Sequence, residues 1–229
     1  RLAAARGWDV AVNYTRDAAA AEAVAADVRT AGRRALVVQA DVADEAQVLA
    51  MFNAVDRGLG VLRGLVNNAG VVDLPQRVDQ MSVARLKRMF DINVIGSMVC
   101  AREAVRRMST RHGGAGGSIV NLSSAAAKIG SPGQYVDYAA AKGAIDTFTL
   151  GLAREVATEG VRVNGVRPGI IETDIHASGG LPDRAREMAP MVPMRRAGSA
   201  QEVATAIVWL LSDEASYATG TVIDVTGGR

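Results

Sequence analysis

Ser118-Ile119-Val120-Asn121-Leu122-Ser123-Ser124, followed downstream by Tyr138-Ala139-Ala140-Ala141-Lys142, is the stretch that decides how the chain reads. The first segment is an apolar run of strand length, Ser118–Leu122. The second opens a longer, helix-like pattern, Tyr138–Glu159, that stops before Gly160. Residues at i and i+4 of a helix share a face, with Cβ atoms roughly 5 to 6 Å apart, so the Lys142 ammonium falls beside the Tyr138 phenol. A free tyrosine, titrating near pH ~10, is a poor proton shuttle at neutral pH. A neighbouring cation favours the phenolate and moves the group toward useful acid–base chemistry. The plainer alternative is a helix-surface tyrosine beside a solvated lysine.

Outward from this stretch, short apolar runs alternate with longer helical patterns, the signature of a mostly parallel sheet covered on both faces. Strands are expected at Asp9–Asn13, Ala35–Ala40, Gly64–Val66, Ser118–Leu122, Arg162–Val166 and Thr221–Val225. Helices are expected at Ala18–Ala31, Glu45–Arg57, Ser82–Met108, Tyr138–Glu159 and Ser199–Ser212. Gly32, Gly58 and Gly160 follow helix ends, where a left-handed residue is favoured, and Asp44 and Ser199 suit helix N-caps. The pattern is interrupted over 172–198, which holds Gly179-Gly180 and several prolines; a segment of this length without regular structure reads as a covering element over a site.

The bulk properties describe one α/β domain spanning 1–229. Hydrophobic content of 49 % and charged content of 22 % are ordinary for a globular chain of 229 residues. No apolar stretch approaches the ~18 residues of a membrane span, and Arg1–Arg6 has no secretory character, so a membrane partner is not expected and the cytoplasm is the default location. The net charge is +2, with basic and acidic residues interspersed, which gives no case for nucleic acid as the main partner. Cys100 is the single cysteine, and His112 and His176 lack ligand spacing, so no metal site is expected.

Asn67-Asn68-Ala69-Gly70 closes the third strand, Asn93 sits inside a long helical pattern, Ser124 ends the fourth strand, and Pro168-Gly169 comes after the fifth. With Tyr138, Lys142 and a closing strand before Gly227-Gly228, these motifs in this order resemble the classical short-chain dehydrogenase/reductase family along the whole of residues 1–229. The resemblance implies a Rossmann-like, doubly wound parallel sheet. It also implies an opening strand and Gly-rich phosphate-binding turn upstream of Arg1, because Leu2–Arg6 resembles the tail of the helix that follows such a turn.

The same resemblance implies roles. Tyr138 would be the catalytic acid/base, Ser124 would hold the substrate oxygen, Lys142 would lower the tyrosine pKa and bind the nicotinamide ribose, and Asn93 would open its helix and hold a relay water. Ser123 and Ser124 point to opposite sides of a strand, and the family position is the second. Cofactor contacts would come from Asp41 and Val42 near the adenine, and from Asn67, Ala69 and Gly70 along the ribose. Pro168, Gly169, Ile171 and Thr173 would follow near the carboxamide. An acid that binds the ribose 2′-hydroxyl ends the second strand in NAD-selective folds. Here the segment reads Asn13-Tyr14-Thr15-Arg16, and Arg16 suits a 2′-phosphate, so NADP(H) is favoured over NAD(H).

The function implied is NAD(P)-dependent hydride transfer between nicotinamide and a carbonyl or secondary alcohol. The run from Ala126 to His176 is similar to sugar dehydrogenases and general carbonyl reductases. A 3-oxoacyl-carrier-protein reductase is one alternative; Glu159 stands where such members tend to carry a basic residue. A non-catalytic nucleotide-binding relative is another, and retention of Asn93, Ser124, Tyr138 and Lys142 argues against it. Small residues Gly96, Ala101, Gly143 and Gly151 on two long helices permit close packing, and by resemblance these helices form contacts in a homo-oligomer, a tetramer or dimer.

Overall fold

The computed structural model describes residues 1–229. Its elements alternate as α1 (Leu2–Ala5), β1 (Val10–Tyr14), α2 (Ala18–Thr30), β2 (Ala35–Gln39), α3 (Glu45–Gly58), β3 (Gly64–Asn67), α4 (Val83–Phe90) and α5 (Ser97–Met108). There follow β4 (Gly117–Leu122), α6 (Ala126–Ile129), α7 (Val136–Val156), β5 (Val161–Pro168) and β6 (Ile171–Glu172). The chain closes through α8 (Ile175–Ser178), α9 (Arg184–Met188), β7 (Gly198–Ser199), α10 (Ala200–Leu211) and β8 (Val222–Val225).

All paired strands are parallel, as strand–helix–strand crossovers require. β3, β4, β5 and β8 form a four-stranded sheet in that order, with Leu65 opposite Ile119 and Ile119 opposite Val163. β1 pairs with β2 separately. Between β1 and β3 runs a cleft of about 1810 Å³ lined by Val10–Asn13 on one side and Gly64–Asn67 on the other.

The period of two along β4 divides the core. Ile119 faces Cys100, Ala101 and Ala104 of α5 and Ala153 and Val156 of α7. Val120 and Leu122 face Val203, Leu210 and Leu211 of α10. Full burial of an aliphatic side chain contributes about 1.5–3 kcal/mol, so strand and helices on both faces stabilise one another. The doubly wound α/β arrangement read from the sequence is thus the observed one.

Helix starts follow the expected chemistry. The Asp44 carboxylate accepts from Gln47 N at 3.2 Å, and Ser199 and Glu202 form a reciprocal capping box. One expected cap moves: Gly58 belongs to α3, and the left-handed residue is Gly60 (φ +87°). The expected helix Ser82–Met108 keeps a helical backbone but changes its winding midway. Residues Asp91–Gly96 form a π-helical turn between α4 and α5, with Asn93 inside it. The segment 172–198 holds two short helices, α8 and α9, and its base is closed by the pairs Ile171–Gly198 and Glu172–Ser199.

Candidate active site

β3, β4 and β5 end along one edge of the sheet, and the start of α7 lies over it. In open parallel sheets ligands bind in the crevice outside these carboxyl ends. Ser124 follows β4, while Tyr138 and Lys142 occupy the first two turns of α7.

Lys142 is enclosed, at 4 % exposure. Its Nζ donates to the Leu122 carbonyl at 2.7 Å and lies 5.6 Å from the centroid of the Tyr138 ring. Burial pulls this ammonium down to about 8, and the carboxylate of Asp146 works in the opposite direction. Ser124 lies close enough to the Tyr138 hydroxyl to favour its ionised form. Its oxygen accepts from Ala126 N at 3.1 Å, which leaves the hydroxyl proton free to donate elsewhere. Ser123 turns away and donates to the Lys142 carbonyl at 3.1 Å.

The electrostatics of Tyr138 differ from the sequence expectation. Burial raises its phenol above the ordinary tyrosine value, and the Ser124 hydroxyl offsets this only partly. The physical reason is that Lys142 turns its ammonium to the Leu122 carbonyl rather than to the phenol oxygen. Tyr138 therefore holds its proton at neutral pH, the state of a proton donor.

Asn93 is fully buried, and its side chain clamps the loop after β3. Oδ1 accepts from Val71 N at 3.1 Å, and Nδ2 donates to the carbonyls of Val71 and Met89, each at 3.0 Å. Both amide protons are thus engaged inside the fold. The clamp explains Gly70, because a Cβ there would lie 2.7 Å from Asn93 Oδ1 and 3.6 Å from Lys142 Nζ. Backbone and lysine approach closely at that point.

The other sequence-derived positions lie at or after the carboxyl ends of β2, β3 and β5. Asn67 is buried, and its Nδ2 donates to Ser97 O at 3.0 Å and Asn121 Oδ1 at 2.9 Å, leaving its own Oδ1 for a ligand. Ala69 precedes Gly70. The Asp41 carboxylate accepts from Ala43 N at 3.0 Å, and Val42 packs against Gly96. The Pro168 carbonyl accepts from Ala125 N and Gly169 N donates to the Val225 carbonyl, each at 2.9 Å. Ile171 is buried and Thr173 exposed. His176 sits in α8 with Nε2 3.0 Å from the Ile171 carbonyl, and burial lowers its pKa.

Sequence reasoning missed three features. Arg85 of α4 pairs with Asp137, the residue before Tyr138. Asn121 continues the polar chain by donating to Thr149 Oγ1 at 2.9 Å. Within 172–198, Arg184 Nη2 donates to Gln134 Oε1 at 2.9 Å and its guanidinium stacks 5.3 Å from the centre of the Tyr135 ring. Adjacency to Tyr138 was the one signal available for Asp137; the partners of the others are distant in sequence.

A parallel α/β sheet with a serine, a tyrosine and a buried lysine gathered at its carboxyl edge defines a nicotinamide-dependent oxidoreductase, and the comparisons agree. A family model described as enoyl-(acyl carrier protein) reductase matches residues 1–229. The uncharacterized oxidoreductase YgfF of Escherichia coli (strain K12) is 53 % identical over 228 residues, covering 100 % of this chain and 92 % of that one. A short-chain type dehydrogenase/reductase from Mycobacterium marinum superposes with a TM-score of 0.91 at 33 % identity, covering 99 % of this chain and 88 % of that chain. A blue fluorescent protein from a metagenomic library, solved in complex with NADPH, gives a TM-score of 0.86 at 31 % identity, with 98 % of this chain and 89 % of that chain covered. The chain belongs to the short-chain dehydrogenase/reductase family and is an NAD(P)-dependent oxidoreductase working between C=O and CH–OH groups. No helix is long and apolar enough to cross a membrane.

Proposed function

We propose that this protein reduces a small carbonyl compound with NADPH and that Tyr138 delivers the proton. The observation that carries the reading is the half-buried Tyr138 phenol with the Ser124 hydroxyl beside it and the buried Lys142 ammonium one turn away. Nicotinamide supplies the hydride when bound. Ser124 donates its free hydroxyl proton to the substrate oxygen and stabilises the charge that grows there. Tyr138 then gives up its proton to that oxygen, which as an alkoxide is a far stronger base than a phenolate. Lys142 holds positive charge beside the phenolate left behind. Asn93 acts through the loop it clamps, since its side chain has no proton left for a relay.

The close approach of Gly70 to Lys142 fits a ribose hydroxyl held between backbone and ammonium. In this reading Asp41 and Val42 flank the adenine, Asn67, Ala69 and Gly70 follow the ribose, and Tyr138 and Lys142 hold the nicotinamide ribose. Pro168, Gly169, Ile171 and Thr173 surround the carboxamide. The preference for NADPH rests on Arg16, exposed after β1 and without an ion-pair partner, where a 2′-phosphate would give it one. The single domain works in the cytoplasm, with 172–198 covering the substrate.

The protein acts as a homo-oligomer. Met98 on α5 and Leu150 on α7 are exposed apolar side chains, and Gly143 and Gly151 have open space where a side chain would be, which supports helix packing between copies. Light scattering tests this, with a monomer ending it. Chemistry is tested by following coenzyme absorbance with a panel of ketones and sugars. Tyr138→Phe is expected to lower turnover about 10²–10⁴-fold, and unchanged turnover removes Tyr138 from the mechanism.

A further inference from the structure

Asp146 carries a carboxylate that is only half satisfied. Its Oδ2 accepts from Arg167 Nε at 2.8 Å, whereas Oδ1 is shut off from solvent with no hydrogen-bond partner. A buried, unpaired carboxylate oxygen is costly, and one in a native fold calls for a reason. Lys142 stands one turn earlier on α7, so both residues lie on the same face of the helix.

The surroundings make this pairing specific. Lys142 is faced by Tyr138 on its own helix, by the Leu122 carbonyl at the end of β4, and by Gly70 and Asn93 from the loop and the π-helical turn. None of these is anionic at neutral pH. Asp146 is the carboxylate whose field reaches the lysine. Arg167 on β5 does not cancel that field alone, because it is shared with Asp224 of β8 at 3.2 Å, and Asp224 in turn pairs with Lys128.

We propose that Asp146 is a positioning residue of the proton-transfer site, its free oxygen supplying the negative field that keeps the buried Lys142 ammonium charged. Arg167 holds the carboxylate in place from β5. Tyr138, Lys142 and Asp146 then form a ladder on one face of α7, with proton chemistry at one end and charge compensation at the other. A purely structural Asp146 would tie α7 to β5 through Arg167 and leave the charge state of Lys142 unaffected.

The chain contains three lysines, Lys87, Lys128 and Lys142, so ¹³C-labelled lysine gives three resonances whose titrations can be followed by NMR and assigned by Lys→Arg variants. In the wild type the Lys142 midpoint is expected at about 8. Asp146→Asn is expected to move it down by about one pH unit or more, while Lys87 and Lys128 stay in place and Asp146→Glu restores the wild-type value. A Lys142 midpoint unchanged in Asp146→Asn overturns the proposal. Should that variant fail to fold, Arg167→Gln releases the carboxylate from its partner and is expected to move the Lys142 midpoint up; no movement overturns the proposal equally. The inference uses the proposed role of Lys142 only for activity, where the alkaline limb of the rate profile should follow the NMR midpoint. A midpoint that moves without the rate profile leaves this inference standing and removes Lys142 from the mechanism.

Discussion

Arg85 grips Asp137 with two hydrogen bonds, Nε to Oδ2 at 2.8 Å and Nη2 to Oδ1 at 3.3 Å, and Asp137 is the residue next to Tyr138. The side chains are 9 % and 0 % exposed, and Arg85 also donates to the Leu74 carbonyl at 2.7 Å. A forked pair of this kind fixes orientation as well as distance. It ties the first turn of α7, which has no side-chain cap, to α4 and to the loop after β3. Removing one partner of a buried ion pair costs about 3–5 kcal/mol, because the other charge is stranded. Asp137→Ala is expected to lower unfolding free energy in urea by that order. The double variant with Arg85→Ala should lose less than the sum of the two single losses. A loss below about 1 kcal/mol for Asp137→Ala would show that the pair is dispensable.

The buried Lys142 makes stability depend on pH with a definite sign. Its folded value is depressed to about 8 from the ordinary lysine value of 10.5. Between those two values the unfolded chain binds more protons than the folded one, so this residue's contribution to stability rises with pH across that window. Below about 8 both states are charged and the full burial penalty stands. The difference in melting temperature between Lys142→Met and the wild type should therefore shift in favour of the wild type as pH is raised from 8 toward 10.5. A difference independent of pH contradicts a depressed lysine.

Coenzyme choice places its weight on Arg16. Loss of one charge-assisted contact to a 2′-phosphate amounts to roughly 1.4 kcal/mol, or a factor of ten. Arg16→Ala should lower kcat/KM for NADPH about tenfold and leave that for NADH nearly unchanged. Equal losses with both coenzymes, or a wild type that prefers NADH, exclude the assignment.

Cys100 should be silent. It is buried in the core against α3 and β4, and burial pushes its thiol up to about 11. Since the thiolate is the reactive form, an aromatic disulfide reagent at neutral pH should find no thiol in the native protein and one after unfolding in guanidinium. Rapid reaction of the folded protein would place the residue at an accessible position instead.

Local chemistry was legible wherever the spacing itself carried it. Tyr138 and Lys142 share a helix face by period alone, Ser124 closes a strand, and Asp44 and Ser199 begin helices because their oxygens accept from backbone three residues on. The alternation of strands and helices yields a parallel, two-faced sheet for the same reason, since the period of apolar residues is a property of neighbours in sequence. The apolar pattern places the start of α7 two residues late, at Tyr138, and the π-helical turn at Asp91–Gly96 is legible only through the family resemblance.

Tertiary structure alone decided what depends on partners far along the chain. Asn67 meets Asn121 across 54 residues, Arg85 meets Asp137 across 52, and Arg167 reaches Asp146 from the neighbouring strand. The charge state of Tyr138 belongs to this class too, because desolvation depends on what packs around a group. The sequence by itself determined which residues stand ready for hydride chemistry and the order in which they come. Only the folded chain decided that Lys142 turns to the Leu122 carbonyl and that burial outweighs it at the phenol, since both follow from distance and dielectric, which no linear spacing contains.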